Sequence, residues 1–165
     1  ILDDFSNSNL ELNASNIKYL IAGSYDKEEK DFIDGLVNKL GLQGRVILAG
    51  FIPDDEVAAH FVMSDCYVMP SIKEGFGIVF IEAMYYNLPV IAGNADGSAD
   101  ALQNGALGIL VNPGSVDEIR DAIEKVLNNR HQYEPDSKLL QHHFSYDSYK
   151  LKINDLFRRT LGWGS

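Results

Sequence analysis

Apolar and polar positions along the chain change period at regular intervals. "IKYLIAG" (Ile17 to Gly23) is a short apolar run stopped by glycine, the pattern of a buried strand. "DKEEKDFIDGLVNKLGL" follows, with Phe32, Ile33, Leu36, Val37 and Leu40 at helical spacing. "RVILAGF" (Arg45 to Phe51) reads as the next strand. "PDDEVAAHFVMS" opens on Pro53, Asp54 and Asp55, which are helix start signals. "CYVMPS" (Cys66 to Ser71) is a strand ended by proline, and a turn and a helix to about Tyr86 come next. "PVIAG" is a strand, "SADALQNG" a short helix and "LGILVNP" (Leu107 to Pro113) a last strand. "SVDEIRDAIEKVLNN" is a long helix capped by Ser115. The tail reads as two closing helices at about 135–161, broken near Phe144–Tyr146. Five strands, each followed by a helix, predict an α/β fold: a doubly wound parallel sheet covered on both faces. The opening "ILDDF" reads as the end of a helix, so the first strand of such a sheet is expected to be missing. Residues 1–165 are read as one domain.

Composition narrows the function. The chain has 165 residues, enough for one domain with a core. Its formal net charge of −10 argues against nucleic acid or anionic lipid as a partner. A single cysteine, Cys66, excludes a disulfide framework and fits a reducing compartment. It is read as a small core residue. No apolar stretch reaches membrane-spanning length, and the start lacks the pattern of a signal peptide. His60, His131, His142 and His143 show no carboxylate or cysteine partner at ligand spacing, so no metal site is expected.

The chemistry concentrates in "SIKEGFGIVFIEAMYYNLPVIAG" (Ser71 to Gly93). Glu74 precedes a Gly-Phe-Gly turn, and Glu82 follows eight residues later in a run that is otherwise apolar. In an open α/β sheet, ligands sit beyond the carboxyl ends of the strands. Glycines there let the backbone approach a ligand, and the first amides of the next helix suit an anion. A carboxylate accepts well from vicinal hydroxyls. Spacing alone leaves a second reading open: Glu74 as a helix-terminal charge, Glu82 as a surface or lysine-paired acid. Lys73 is expected in solvent.

From about Ile17 to Leu127 the chain resembles the C-terminal, nucleotide-sugar-binding domain of retaining GT-B glycosyltransferases. "EGFGIVFIE" is similar to that family's Glu-x7-Glu motif, and "EAMYYNLPVIAG" and "LGILVNP" follow in the expected order. The resemblance implies a Rossmann-like domain, the C-terminal half of a GT-B fold. It implies that Glu74 binds hydroxyls of the donor sugar and is the catalytic residue of the site. The amides of Gly75, Phe76, Gly77 and Ile78 would line the sugar and diphosphate, and Glu82 would hold the ribose. Phe51 and Ile52 would lie near the base; core packing of Phe51 is the alternative. No metal or cofactor is implied beyond a UDP- or GDP-linked donor. An N-terminal acceptor-binding domain is implied as a missing partner, which would carry any membrane association of a cytoplasmic enzyme. Without it the isolated chain is expected to be inactive. Two departures stand out: Asn87 where the family has glycine, and "DGSAD" (Asp96 to Asp100) where it has Gly-Gly-x-x-Glu. A non-catalytic donor-binding module and a nucleotide-sugar epimerase remain as alternatives.

Overall fold

Short acceptor side chains fix the starts of helices at Asp26, Ser115, Asp136 and Ser145. The computed structural model describes residues 16–162. The opening "ILDDF" lies outside them. Strand β1 (Tyr19–Ala22) leads to α1 (Lys27–Lys39), where Asp26 and Glu29 form a reciprocal capping box with bonds of 2.9 and 3.0 Å. Then come β2 (Val46–Gly50), α2 (Asp54–Val62), β3 (Tyr67–Met69), α3 (Ile78–Tyr85) and β4 (Val90–Gly93). After these stand α4 (Ser98–Ala101), β5 (Ile109–Val111) and α5 (Val116–Asn128), whose N-terminus is capped by Ser115 as expected. Two closing helices follow, α6 (Ser137–Phe144) and α7 (Tyr146–Leu161). Ser145 breaks them apart by capping α7. Among the described residues, no helix is long and apolar enough to cross a membrane.

Every strand pairing is parallel, and β4 lies between β3 and β5. All four residues of β4 are buried. Its side chains alternate. Val90 and Ala92 enter a core with Phe80, Ala83 and Met84 of α3, Leu102, Leu107 and Leu140 of α6. Ile91 enters a second core on the other face, with Val111 and with Ile119, Ala122 and Val126 of α5. The architecture is therefore Rossmann-like α/β, with helices on both faces of the central strands.

Two expectations need correction. The five strands hydrogen-bond as two parallel sheets, β1–β2 and β3–β4–β5, rather than as one. Alternation of strands and helices dictates parallel strands, but it does not dictate which edges pair. The expected buried strand at Ile17 to Gly23 is only half-buried: Tyr19 is 44% exposed, and α1 buries none of its residues. The helical spacing of Phe32, Ile33, Leu36, Val37 and Leu40 is real, yet Phe32 stands 68% exposed. The core belongs to the β3–β4–β5 half.

Candidate functional site

Strand β3 ends at Met69, and the chain then runs along the carboxyl edge of its sheet to the start of α3 at Ile78. Gly77 makes the entry to this helix. Its φ of 79° is left-handed, and an added Cβ would overlap the Phe80 ring. No side chain caps the helix. Among the described residues, no hydrogen bond takes up the amides of Phe76, Gly77 or Ile78. The Gly75 amide donates to Glu74 Oε1 at 3.0 Å, which leaves Glu74 Oε2 without a partner among the described residues. The edge therefore offers three free N–H donors and one free carboxylate oxygen.

Glu82 is the fifth residue of α3 and is exposed. Its apolar neighbours in sequence divide between the core and the outward side. Phe80, Ala83 and Met84 turn into the core, while Ile78 and Tyr85 share the outward side with Glu82. Glu74 and Glu82 both lie close enough to Tyr67 on β3 to act on its phenol. Burial, and then the charges of Tyr19, Glu74 and Glu82, push that group up to about 12. Tyr67 stays neutral, packs against the core and donates its hydroxyl to Met69 Sδ at 3.5 Å.

Three attachments hold the Ser71–Gly77 loop in place. The first is a pair of charge-assisted hydrogen bonds: Asp96, in the loop after β4, accepts from the Glu74 amide at 2.6 Å and from the Ser98 amide at 3.0 Å. The Glu74 amide, then the hydroxyl of Ser98, hold the Asp96 carboxyl below its usual range. The second is backbone on backbone. The Gly97 amide donates to the Glu74 carbonyl at 3.1 Å, and a Cβ on Gly97 would overlap the Gly75 carbonyl oxygen. The third is aromatic: Phe76 meets Phe144 of α6 edge to face, with ring centroids 6.0 Å apart.

Sequence reading missed Asp96, Gly97 and Phe144. The one available signal was an acid at position 96, where the resembled pattern has glycine. The other departure, Asn87, sits at φ 58°, the left-handed conformation that asparagine tolerates, and its side chain faces the Glu134 carboxylate. Phe51 and Ile52 follow β2 in the other sheet, and no described hydrogen bond or ring contact joins them to the Glu74 loop. Phe51 is 71% exposed, which excludes core packing. Lys73 is exposed. His131 does have a carboxylate partner, Glu134 at 3.0 Å, contrary to the sequence reading: the i,i+3 spacing brings the two together. Burial pushes the Cys66 thiol up to about 12, as suits a packing residue.

Known proteins share both this sequence and this shape. Residues 6–150 match the family described as "Glycosyl transferases group 1". An uncharacterised glycosyltransferase of Methanocaldococcus jannaschii is 33% identical over 118 residues, 72% of this chain and 30% of that protein. A GDP-mannose-dependent alpha-(1-6)-phosphatidylinositol monomannoside mannosyltransferase of Mycobacterium tuberculosis is 35% identical over 102 residues, 58% of this chain and 26% of that protein. The chain thus spans less than a third of the length of these relatives. Among solved structures, sucrose-phosphate synthase from Thermosynechococcus elongatus superposes with a TM-score of 0.73 at 27% identity, covering 88% of this chain and 39% of that one. Anabaena HepE in complex with UDP-glucose superposes with a TM-score of 0.73 at 22% identity, over 94% and 43% of the two chains. The glycine turn, its two acids and the loop and helix that carry them lie inside the matched span, and the chain belongs to the glycosyl transferases group 1 family.

Proposed function

We propose that this chain is the donor-binding half of a retaining glycosyltransferase and holds a UDP- or GDP-linked sugar. One observation carries the reading. Three amides, of Phe76, Gly77 and Ile78, unpaired among the described residues, stand at the edge of a parallel sheet with a carboxylate on either side. Amides at a helix start suit a diphosphate, and carboxylates suit the hydroxyls at its two ends. The name of the Mycobacterium tuberculosis relative, a GDP-mannose-dependent mannosyltransferase, supports it. In this reading Glu74 Oε2 accepts from hydroxyls of the donor sugar and orients it, and the Gly75 amide stays with Glu74 Oε1. Glu82 accepts from the ribose, and exposed Phe51 with Ile52 flanks the base. The bond from the anomeric carbon to the diphosphate oxygen breaks, and the acceptor oxygen bonds to the same face of the sugar. The acceptor's proton passes to the departing diphosphate. The amides of Phe76, Gly77 and Ile78 stabilise the charge that grows there. The acceptor is bound by residues outside this chain, in the part of the relatives that it does not span. A single free thiol fits a cytoplasmic setting.

Calorimetry on two variants tests the assignment. Glu74→Ala should weaken binding of the nucleotide sugar but spare the free nucleoside diphosphate. Glu82→Ala should weaken both. Each loss should reach about one to two decades, the effect of removing a charge-assisted partner. Equal losses for the two ligands in both variants would refute it.

A further inference from the structure

An acid at position 96 is an expensive choice at this edge. The protein already carries a net charge of −10, and the proposed ligand is an anion. Two geometric facts explain why an acid stands there. Asp96 uses both oxygens at once: Oδ2 accepts from the Glu74 amide at 2.6 Å, and Oδ1 accepts from the Ser98 amide at 3.0 Å. The hydroxyl of Ser71 faces the same carboxylate. So does that of Ser98, which is fully buried and makes no hydrogen bond of ordinary geometry. Asparagine has nearly the same shape but only one acceptor oxygen, and its amide would turn a donor against a donor. Only a carboxylate serves both sides. The two sides are separate loops, one carrying Glu74 and the other leading into α4.

We propose that Asp96 is a positioning residue for the donor sugar: it ties the Glu74 amide to the loop after β4 and so fixes where the Glu74 carboxylate stands. This rests on the reading of Glu74 as the sugar-binding acid. Asp96 itself touches no sugar. It acts through Glu74, at the residue where the hydroxyl-binding oxygen begins. Gly97 supports the same tie from the backbone, since its amide donates to the Glu74 carbonyl at 3.1 Å.

The test combines amide exchange with a double-mutant cycle. In the wild-type protein, the Glu74 amide should exchange more slowly than that of exposed Ile72. In Asp96→Asn it should exchange at least about tenfold faster, while Ile91 and Ala92 in β4 keep their protection. Binding is read with UDP and UDP-glucose, and with GDP and GDP-mannose as a second pair. Asp96→Asn should lower the preference for the sugar nucleotide over the diphosphate about tenfold. The same change made on Glu74→Ala should leave that preference where Glu74→Ala put it, because the two residues act as one unit. A wild-type Glu74 amide that exchanges as fast as Ile72 overturns the proposal without any ligand. So does an equal fall in preference on both backgrounds, or weakening of sugar nucleotide and diphosphate alike. Failure of the wild-type protein to bind either sugar nucleotide would instead refute the donor reading, and this role with it. Binding with an unchanged preference in Asp96→Asn refutes this inference alone.

Discussion

A methyl group added at Gly35 and one added at Gly97 have opposite consequences. Gly35 lies inside α1, with no atom within 4 Å of the position a Cβ would take. Gly35→Ala should therefore raise stability by about 0.5–1 kcal/mol, the ordinary cost of glycine in a helix. Gly97 is the place where two loops touch backbone to backbone, and the overlapped atom is a carbonyl oxygen that no side-chain rotation can move. Gly97→Ala should lower stability by about 1–3 kcal/mol, as overpacking does. Thermal melts of the two variants give the sign directly. A Gly97→Ala protein that melts with the wild type would mean that the loops are not in contact. The sequence places Gly35 inside a helical pattern and Gly97 in a polar loop, but only the fold brings position 97 against position 75. The Asp96 tie escaped sequence reading for the same reason: it crosses 22 positions between two loops.

Helix α3 shows what a pattern can and cannot reveal about an element. Its residues are apolar at every position except Glu82, so spacing alone neither separates it from a strand nor orients it. The single polar residue marks the outward side. Phe80 is fully buried and Ile78, two positions earlier, is 68% exposed. Phe80→Ala should cost about 3–5 kcal/mol in urea denaturation. Ile78→Ala should stay within about 0.5 kcal/mol. A larger loss at Ile78 would mean that the helix is rotated. The caps at Ser115 and the break at Ser145 were legible because each depends on neighbours three residues away. Strand pairing was not legible, because which edges meet depends on packing between distant segments. Nor was the exposure of α1, whose apolar spacing says only that one side is apolar and not that it is covered.

For the molecule as a whole, charge and proposed ligand share a sign. A chain at −10 repels a diphosphate at a distance, while three amides and a helix end attract it at contact. Salt screens the first effect far more than the second, because the Debye length falls to about 8 Å at 0.15 M ionic strength. Raising the salt from low to physiological levels should therefore tighten binding of UDP or GDP by a few-fold. Binding that weakened steeply with salt would show that cationic side chains, rather than amides, hold the diphosphate. The ring contact between Phe76 and Phe144 adds a dimension of time. The glycine turn is made before α6, and its aromatic clamp arrives only when α6 has left the ribosome. Elongation runs at about 5–20 residues per second, so the turn waits several seconds for its partner. On the proposed reading, a nascent chain stalled before Phe144 should therefore bind UDP-glucose more weakly than the released protein does.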